Sequence, residues 1–572
     1  MHKPKSLQHG HVLPGATWHA PWRSADWHPH TATALLCLWM ASVGNVALWR
    51  ALHAVGALHG GAGLRLALGL GLGIAALLGV LASLLTLLAP RWLLKPVLTL
   101  LLVVTAVGSY FMLAYGIVID ATMLTNALQT DVHEATDLLH WRMLLTVAGL
   151  AGAPAWWLWR TALRYPQGTK AHLKNALFLI AALALSISAI GLIYQNMASL
   201  MRNHTQLRYL VNPLNSVYAV ARLVHPKVDR TGPLLPLGTD AHVAASTRSR
   251  PPLLVLVLGE TARSGNFGIN GYARNTTPLL QAEVQKGQTV SFTNAWSCGT
   301  STAASLPCMF SPLGREGYNA RAADTEGLLD VLQHAGLAVL WVDNQSGCKG
   351  VCDRVPNAST AGVQVPGASD VCEGAECFDA VMLRGLDERI AALPAAARAQ
   401  GVVVVLHQMG GHGPAYSRRS AAQRKKFAPE CTSSALQECS QESISNAYDN
   451  SIVETDFLLD GVVQWLKARS GQWDTAMQYV ADHGESLGEN NLYLHGLPYA
   501  VAPDVQKRVP WITWLSPAFT QRTGIAPACL QQQAAAPISH DNYFHSVLGL
   551  MQVQTGVYRP ALDLYRPCAA GA

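Results

Sequence analysis

The chain has 572 residues, room for up to about four domains at roughly 150 residues each. Half of it is hydrophobic and only 13% is Asp, Glu, Lys or Arg. Ordinary soluble domains carry about 25% charged residues, so a typical cytosolic enzyme is excluded, and so is a disordered chain. The net charge of +6 does not mark a nucleic-acid binder: residues 1–200 hold 12 basic and 5 acidic residues, leaving 29 and 30 for the rest, so the surplus sits in the apolar N-terminal part.

In chain order, residues 1–31 form a polar tail with six histidines, His2, His9, His11, His19, His28 and His30, too irregularly spaced for a metal tract. Five stretches then reach the roughly 20 residues a membrane helix needs. They are 32–50, 66–89, 96–118, 143–162 and 175–196, and they make residues 32–197 a transmembrane domain. The first starts too far from Met1 to be a cleaved signal peptide. Lys3, Lys5, Arg23, Arg91, Lys95, Arg164, Lys170 and Lys174 flank one side of the spans, and Arg50, Arg65 and Arg142 the other. The richer side is cytoplasmic by the positive-inside rule, so the N-terminus is inside and everything after residue 197 is outside. Residues 198–250 read as a connector with an amphipathic stretch near 205–224, suited to a membrane surface.

After Pro251 short apolar runs alternate with polar segments. LLVLVLG (253–259), LAVLWVD (337–343), VVVVLHQ (402–408), MQYVADH (477–483) and WITWLS (511–516) read as buried strands. Such runs predict a parallel sheet covered on both faces, hence a three-layer α/β domain over 251–572. Ten of eleven cysteines lie here, an even number that predicts up to five disulfides in an oxidising compartment. Sequence neighbours give the pairs Cys298/Cys308, Cys348/Cys352, Cys372/Cys377 and Cys431/Cys439, and the pairing of Cys529 and Cys568 stays open. The intervals do not repeat like a zinc ribbon.

Metal-ligand residues recur where strands end: Glu260 after the first run, Asp482 and His483 after MQYVA, His407 in VVVVLH, His412 in the following glycine turn, and His495 further on. A carboxylate directly after a buried strand is costly unless it is paired or bound to metal. A mixed Asp/Glu/His set without thiolate suits a catalytic zinc or manganese. The segment SCGTSTAASLPCMF (297–310) places Thr300, Ser301 and Thr302 before a helix start, where N–H groups favour phosphate and a developing alkoxide. Chemistry alone does not choose among the three.

Taken together, GETARSGNFGINGYARNTTP (259–278), SCGTSTA (297–303), SGCKGVCDR (346–354), HQMGGHGPAY (407–416), NAYDNSIVETD (446–456) and ADHGESLGEN (481–490) resemble the phosphoethanolamine transferases. This family of lipid A modification enzymes includes the mobile colistin-resistance proteins and belongs to the alkaline phosphatase/sulfatase-like superfamily. The resemblance implies a five-helix membrane bundle in a bacterial inner membrane and a periplasmic catalytic domain. It implies Thr302 as nucleophile and Glu260, Asp482, His483 and Thr302 as ligands of Zn2+. It further implies His412 and His495 as phosphate or second-metal residues, with Ser346 and Lys349 beside bound phosphoethanolamine.

In the second outward loop, Asn126, Thr130 and Glu134 are spaced i, i+4, i+8 and share a helix face; the resemblance makes them the lipid-headgroup site. The expected reaction is two-step transfer from phosphatidylethanolamine through a phosphothreonine to lipid A, conferring polymyxin resistance. A core-sugar or other envelope-glycan acceptor, or a related sulfatase-like phosphotransferase, is the alternative. The partners implied are the two lipids and the membrane, with no nucleic acid and a monomeric state.

Overall fold

The computed structural model describes residues 27–570 apart from 88–90, 130–135, 137, 166–168, 225–231, 245–248, 361–370 and 374–375. Most of the histidine tail, and Thr130 and Glu134 of the expected headgroup site, lie outside the described residues.

Among the described residues four helices are long and apolar enough to cross a bilayer: Pro29–Ala54, Gly60–Leu85, Leu94–Ala114 and His172–Asn203. The fifth expected span, 143–162, differs. It is helical over Trp141–Val147 and Ala153–Arg160, with a π-helical turn, Ala148–Gly152, between the pieces. Pro154 has no N–H to give, and Gly149 and Gly152 weaken the helix around it. The second and last of the four spans approach closely: a Cβ on Gly69 would lie 2.6 Å from Ile193 Cγ2, and one on Gly73 3.0 Å from Ile190 Cγ1. This is small-residue packing, which compensates for the lack of a hydrophobic driving force in lipid.

The connector is tied into this bundle by two buried asparagines. Asn45, where the first helix kinks, accepts from the Asn212 N–H at 2.9 Å, and Asn212 Nδ2 donates to Thr105 O at 2.7 Å. The Asn45 amide and the Asn212 Nδ2 are bonded to backbone, which is what makes their burial tolerable. Beyond them, helix Leu214–Val224 packs on the helix Ala121–Gln129.

The second half is built on one eight-stranded sheet. Its strands are β1 (Pro252–Gly259), β2 (Thr289–Trp296), β3 (Ala338–Asp343), β4 (Asn357–Ser359), β5 (Val402–His407), β6 (Asp474–Ala481), β7 (Arg508–Leu515) and β8 (Ile538–Ser539), in the order β8-β2-β7-β6-β1-β5-β3-β4. Every residue of β1, β3, β5 and β6 is buried, as the apolar runs of the first three require, and β6 buries Asp474, Thr475 and Gln478 along with its apolar residues. The sheet is not wholly parallel. β7 runs antiparallel to β6 and β2, because the 482–507 connection contains no crossover helix and re-enters at the edge where β6 ended. An apolar run carries no signal of direction. Strands β2, β4 and β8 were not expected from the sequence; β2, TVSFTNAW, mixes hydroxyl and amide residues among its apolar ones.

Cysteine pairing follows the sequence neighbours, Cys298–Cys308, Cys348–Cys352, Cys372–Cys377 and Cys431–Cys439, and adds Cys529–Cys568. Cys37 is the free, buried thiol.

The long helix Gln441–Lys467 starts at Ser440, whose hydroxyl accepts from Ser443 N. Its polar motif residues hold neighbouring loops. Asp449 accepts from Asn266 Nδ2 at 2.8 Å, Tyr272 OH at 2.9 Å and Arg274 Nη1 at 2.6 Å, and Asp456 accepts from the N–H groups of Leu279 and Leu280. Asp449→Ala leaves these donors unpaired. Arg274 is one-third exposed, so the expected loss is about 1–3 kcal/mol, read as a lower melting temperature of the detergent-solubilised chain.

Candidate active site at the carboxyl edge of the sheet

Strands β1 and β6 are parallel neighbours, with Gly259 opposite Ala481. Their next residues, Glu260 and Asp482, therefore emerge side by side, followed by His483. Gly259 is required by close packing: a Cβ there would lie 2.4 Å from the Tyr479 hydroxyl. β2 ends at the same edge and leads through Ser297–Ser301 to the helix Thr302–Met309, with Thr302 as its first residue.

The four side chains converge. Thr302 Oγ1 donates to Glu260 Oε2 at 2.9 Å and lies 3.4 Å from His483 Nε2. That nitrogen is also 3.4 Å from Glu260 Oε1 and from Asp482 Oδ2. His483 Nδ1 meets the Gly484 carbonyl at 2.9 Å, which keeps a proton on Nδ1 and turns Nε2 inward toward the carboxylates. Asp482 Oδ1 accepts from His483 N at 2.7 Å, leaving Oδ2 to the cluster. Of the three residues before the helix, Thr300 is committed elsewhere, donating to Leu497 O at 2.6 Å. Ser301 makes no capping bond.

The donors fit a metal ion on the structure's own terms. Glu260 Oε1 and Asp482 Oδ2 are buried oxygens without a hydrogen-bond partner among the described residues, and the ligating atoms of Glu260, Asp482 and His483 lie within 4.8 Å of one another. Burial pushes the Glu260 carboxyl up, but hydrogen bonding and charge from His483 outweigh it and hold it well below the usual range. Burial and the Glu260 charge push Asp482 up to about 6. Burial disfavours a charged His483, yet Asp482 and Glu260 raise it to about 10. Two carboxylates share a dry space that favours a cation between them. A second cluster, Cys348, Cys352 and Asp353, is no rival, since both its sulfurs are in a disulfide.

The remaining expected residues surround this cluster. The His495 ring lies 4.4 Å from that of His483 and 5.5 Å from that of His412, and its Nδ1 is 3.4 Å from the buried Glu485 carboxylate. Lys349 Nζ donates to Ser346 Oγ at 3.0 Å, Ser346 Oγ to Gln345 Oε1 at 2.9 Å, and Gln345 Nε2 to Glu260 Oε2 at 3.1 Å. Lys349 also reaches the Gln129 carbonyl at 3.1 Å. Asn126 sits half-buried on Ala121–Gln129, a helix packed against Thr302–Met309.

Sequence reasoning missed the supporting residues. Asp343, ending β3, accepts from Gln345 N, Trp341 Nε1 and the His407 ring, so His407 is scaffold and not a ligand of this cluster. Asp379 holds the glycine turn by accepting from Met409 N and Gly410 N. Ser305 lies 3.2 Å from His540 Nδ1, and His540 Nε2 lies 3.0 Å from Ala481 O. Burial lowers the pKa of His540 to about 3, which keeps the ring neutral. The one available signal was Asp343, a carboxylate at a strand end like Glu260.

Comparison with known proteins agrees with this layout. Residues 252–553 match the sulfatase family, and residues 77–228 the N-terminal family described as phosphoethanolamine transferase EptA/EptB. Phosphoethanolamine transferase EptA of Escherichia coli K12 is 40% identical over 85% of this chain and 87% of its own. Phosphatidylethanolamine transferase Mcr-1 of Escherichia coli is 39% identical over 81% and 84%. The solved structure of the integral membrane lipooligosaccharide phosphoethanolamine transferase A of Neisseria meningitidis superposes with a TM-score of 0.88 at 33% identity, covering 94% of this chain and 98% of that one. With its membrane helices joined to a sulfatase-type α/β domain, the chain belongs to the phosphoethanolamine transferase family.

Proposed function

We propose that this enzyme transfers phosphoethanolamine from phosphatidylethanolamine to lipid A, with Zn2+ as cofactor and a phosphothreonine at Thr302 as intermediate. The observation that carries the reading is the Thr302 hydroxyl at a helix start, 2.9 Å from Glu260 Oε2 within the buried Glu/Asp/His cluster. Glu260, Asp482, His483 and Thr302 would hold the zinc. When bound, its charge lowers the proton affinity of a hydroxyl and offsets charge on phosphoryl oxygens.

The residues of the chain supply the rest. Thr302 Oγ1 gives its proton toward Glu260 and attacks phosphorus; the phosphorus–oxygen bond to glycerol breaks, and diacylglycerol leaves with a proton. A phosphate or hydroxyl of lipid A then attacks the phosphothreonine, and Thr302 is regenerated. Lys349, Ser346, His412 and His495 stabilise the phosphoryl oxygens, and Asn126, Thr130 and Glu134 take the lipid headgroup. Both substrates are membrane lipids, which accounts for a hydrolase-type domain on a membrane anchor. The same reading places the chain in a bacterial inner membrane as a monomer with five spans, the helix broken at Ala148–Gly152 counted as one. The N-terminus is cytoplasmic and the catalytic domain periplasmic.

Mass spectrometry of lipid A from cells expressing the chain is expected to reveal added phosphoethanolamine, with raised polymyxin tolerance. Thr302→Ala is expected to abolish both, and transfer at the wild-type rate by that variant would remove Thr302 as the nucleophile. Glu260→Gln is expected to lower zinc content by elemental analysis, and chelation to stop transfer until zinc is restored. Asp482 is held up at about 6 and His483 at about 10, so protons compete with the ion for both ligands. Zinc affinity measured by titration should therefore rise with pH up to about 10 and fall more steeply below about 6.

A further inference from the structure

The residues that follow the third membrane helix, Tyr115–Ile119, are assigned no part in the chemistry above, yet they pack on the loop that carries His495. Tyr493 N donates to the Tyr115 carbonyl at 2.8 Å. Gly116, at φ +70°, has the loop against it: a Cβ there would lie 2.8 Å from Leu492 Cδ2 and 2.9 Å from Asn491 O. Val118 is buried with Leu497 and Ala502 in a small apolar cluster. On its far side the same loop is fixed to the turn before Thr302, with Gly496 N donating to Thr300 O at 2.8 Å and Thr300 Oγ1 to Leu497 O at 2.6 Å.

Between these anchors the loop adopts conformations that side chains resist. Asn490, Asn491 and Leu494 have φ of 54°, 58° and 63°. Asparagine tolerates this region, but a bulky residue such as Leu494 is strained in it and persists there only when its surroundings over-determine it. Part of those surroundings is membrane-domain backbone.

We propose that Tyr115–Ile119 is a positioning element for the active site: by clamping residues 491–497 it sets the His495 ring against His483, so that the membrane domain completes the catalytic geometry as well as presenting the lipid. The proposal rests on the role given to His495 above. Gly116 and Val118 are its positioning residues, acting only through the loop.

The test separates positioning from lipid presentation by using a substrate that needs no membrane, a water-soluble nitrophenyl ester of phosphoethanolamine, with the full-length protein in detergent. Gly116→Val, which drives a side chain into Leu492, is expected to lower kcat for this ester by about 10- to 100-fold with KM changed by less than about twofold, since small misplacements of a catalytic group cost rate and not ground-state binding. Zinc content should be unchanged. Val118→Ala, a milder change that carries the test should the valine variant fail to fold, is expected to shift kcat in the same direction. Arg142→Gln is the control: it breaks the ion pair with Glu438 (2.6 Å), another contact between the two halves, and should leave kcat unchanged. Loss of ester turnover in His495→Ala together with wild-type turnover in both segment variants would overturn the proposal alone. Wild-type turnover in His495→Ala itself would remove the underlying role of His495, and the proposal with it.

Discussion

The arrangement depends on one electrostatic constraint: two carboxylates, Glu260 and Asp482, are driven out of water at the ends of adjacent buried strands. Among the described residues neither has a full set of hydrogen bonds, and the His483 ring lies 3.4 Å from each as a compensating charge. Such a pair is affordable only with a cation between them. The surrounding polar residues either donate toward the cluster, as Thr302 and Gln345 do, or keep those donors in place, as Asp343 does for Gln345. The sheet supplies the precision. Because Gly259 and Ala481 are in register, the separation of the two carboxylates is fixed by backbone hydrogen bonds and not by flexible loops.

Much of this was legible in the sequence because burial leaves a strong imprint. The strand that carries Glu260 is an unbroken apolar run ending in a charge, and the one that carries Asp482, though interrupted by Gln478, ends the same way, a conjunction with few physical explanations. Cysteine neighbours gave four disulfides correctly, since short loops bring partners together; Cys529 and Cys568, 39 positions apart, carry no such signal. Strand direction was illegible for the same reason that burial was legible: an apolar run reads alike both ways, so β7 was expected to be parallel. The choice of Thr302 over Thr300 and Ser301 came only from the family resemblance, and the structure supplies a geometric reason, since Thr300 points away to Leu497 O.

The motif NAYDNSIVETD illustrates a different limit. Its dense polar residues on a buried helix face look like chemistry, and the structure makes them scaffold: Asp449 and Asp456 pin the loops after Glu260. Conversely, Asp379 holds the turn before His412 from a segment with no notable pattern. A buried carboxylate announces that it must be paired, but not whether its partner is an ion or a backbone amide.

The seam along Tyr115–Ile119 has a consequence for how such chains diversify. Tyr110, Ala114, Tyr115 and Ile117 belong to the same apolar cluster as the catalytic sheet, so the border between the halves in sequence is not a border in packing. Halves taken from two relatives would meet along unmatched surfaces, with the contacts of residues 115–119 and 491–497 broken in either parent's terms. Recombination at the connector, which looks like the natural joint, is therefore disfavoured unless both stretches travel together. The two halves pack as one unit although they are built for different solvents.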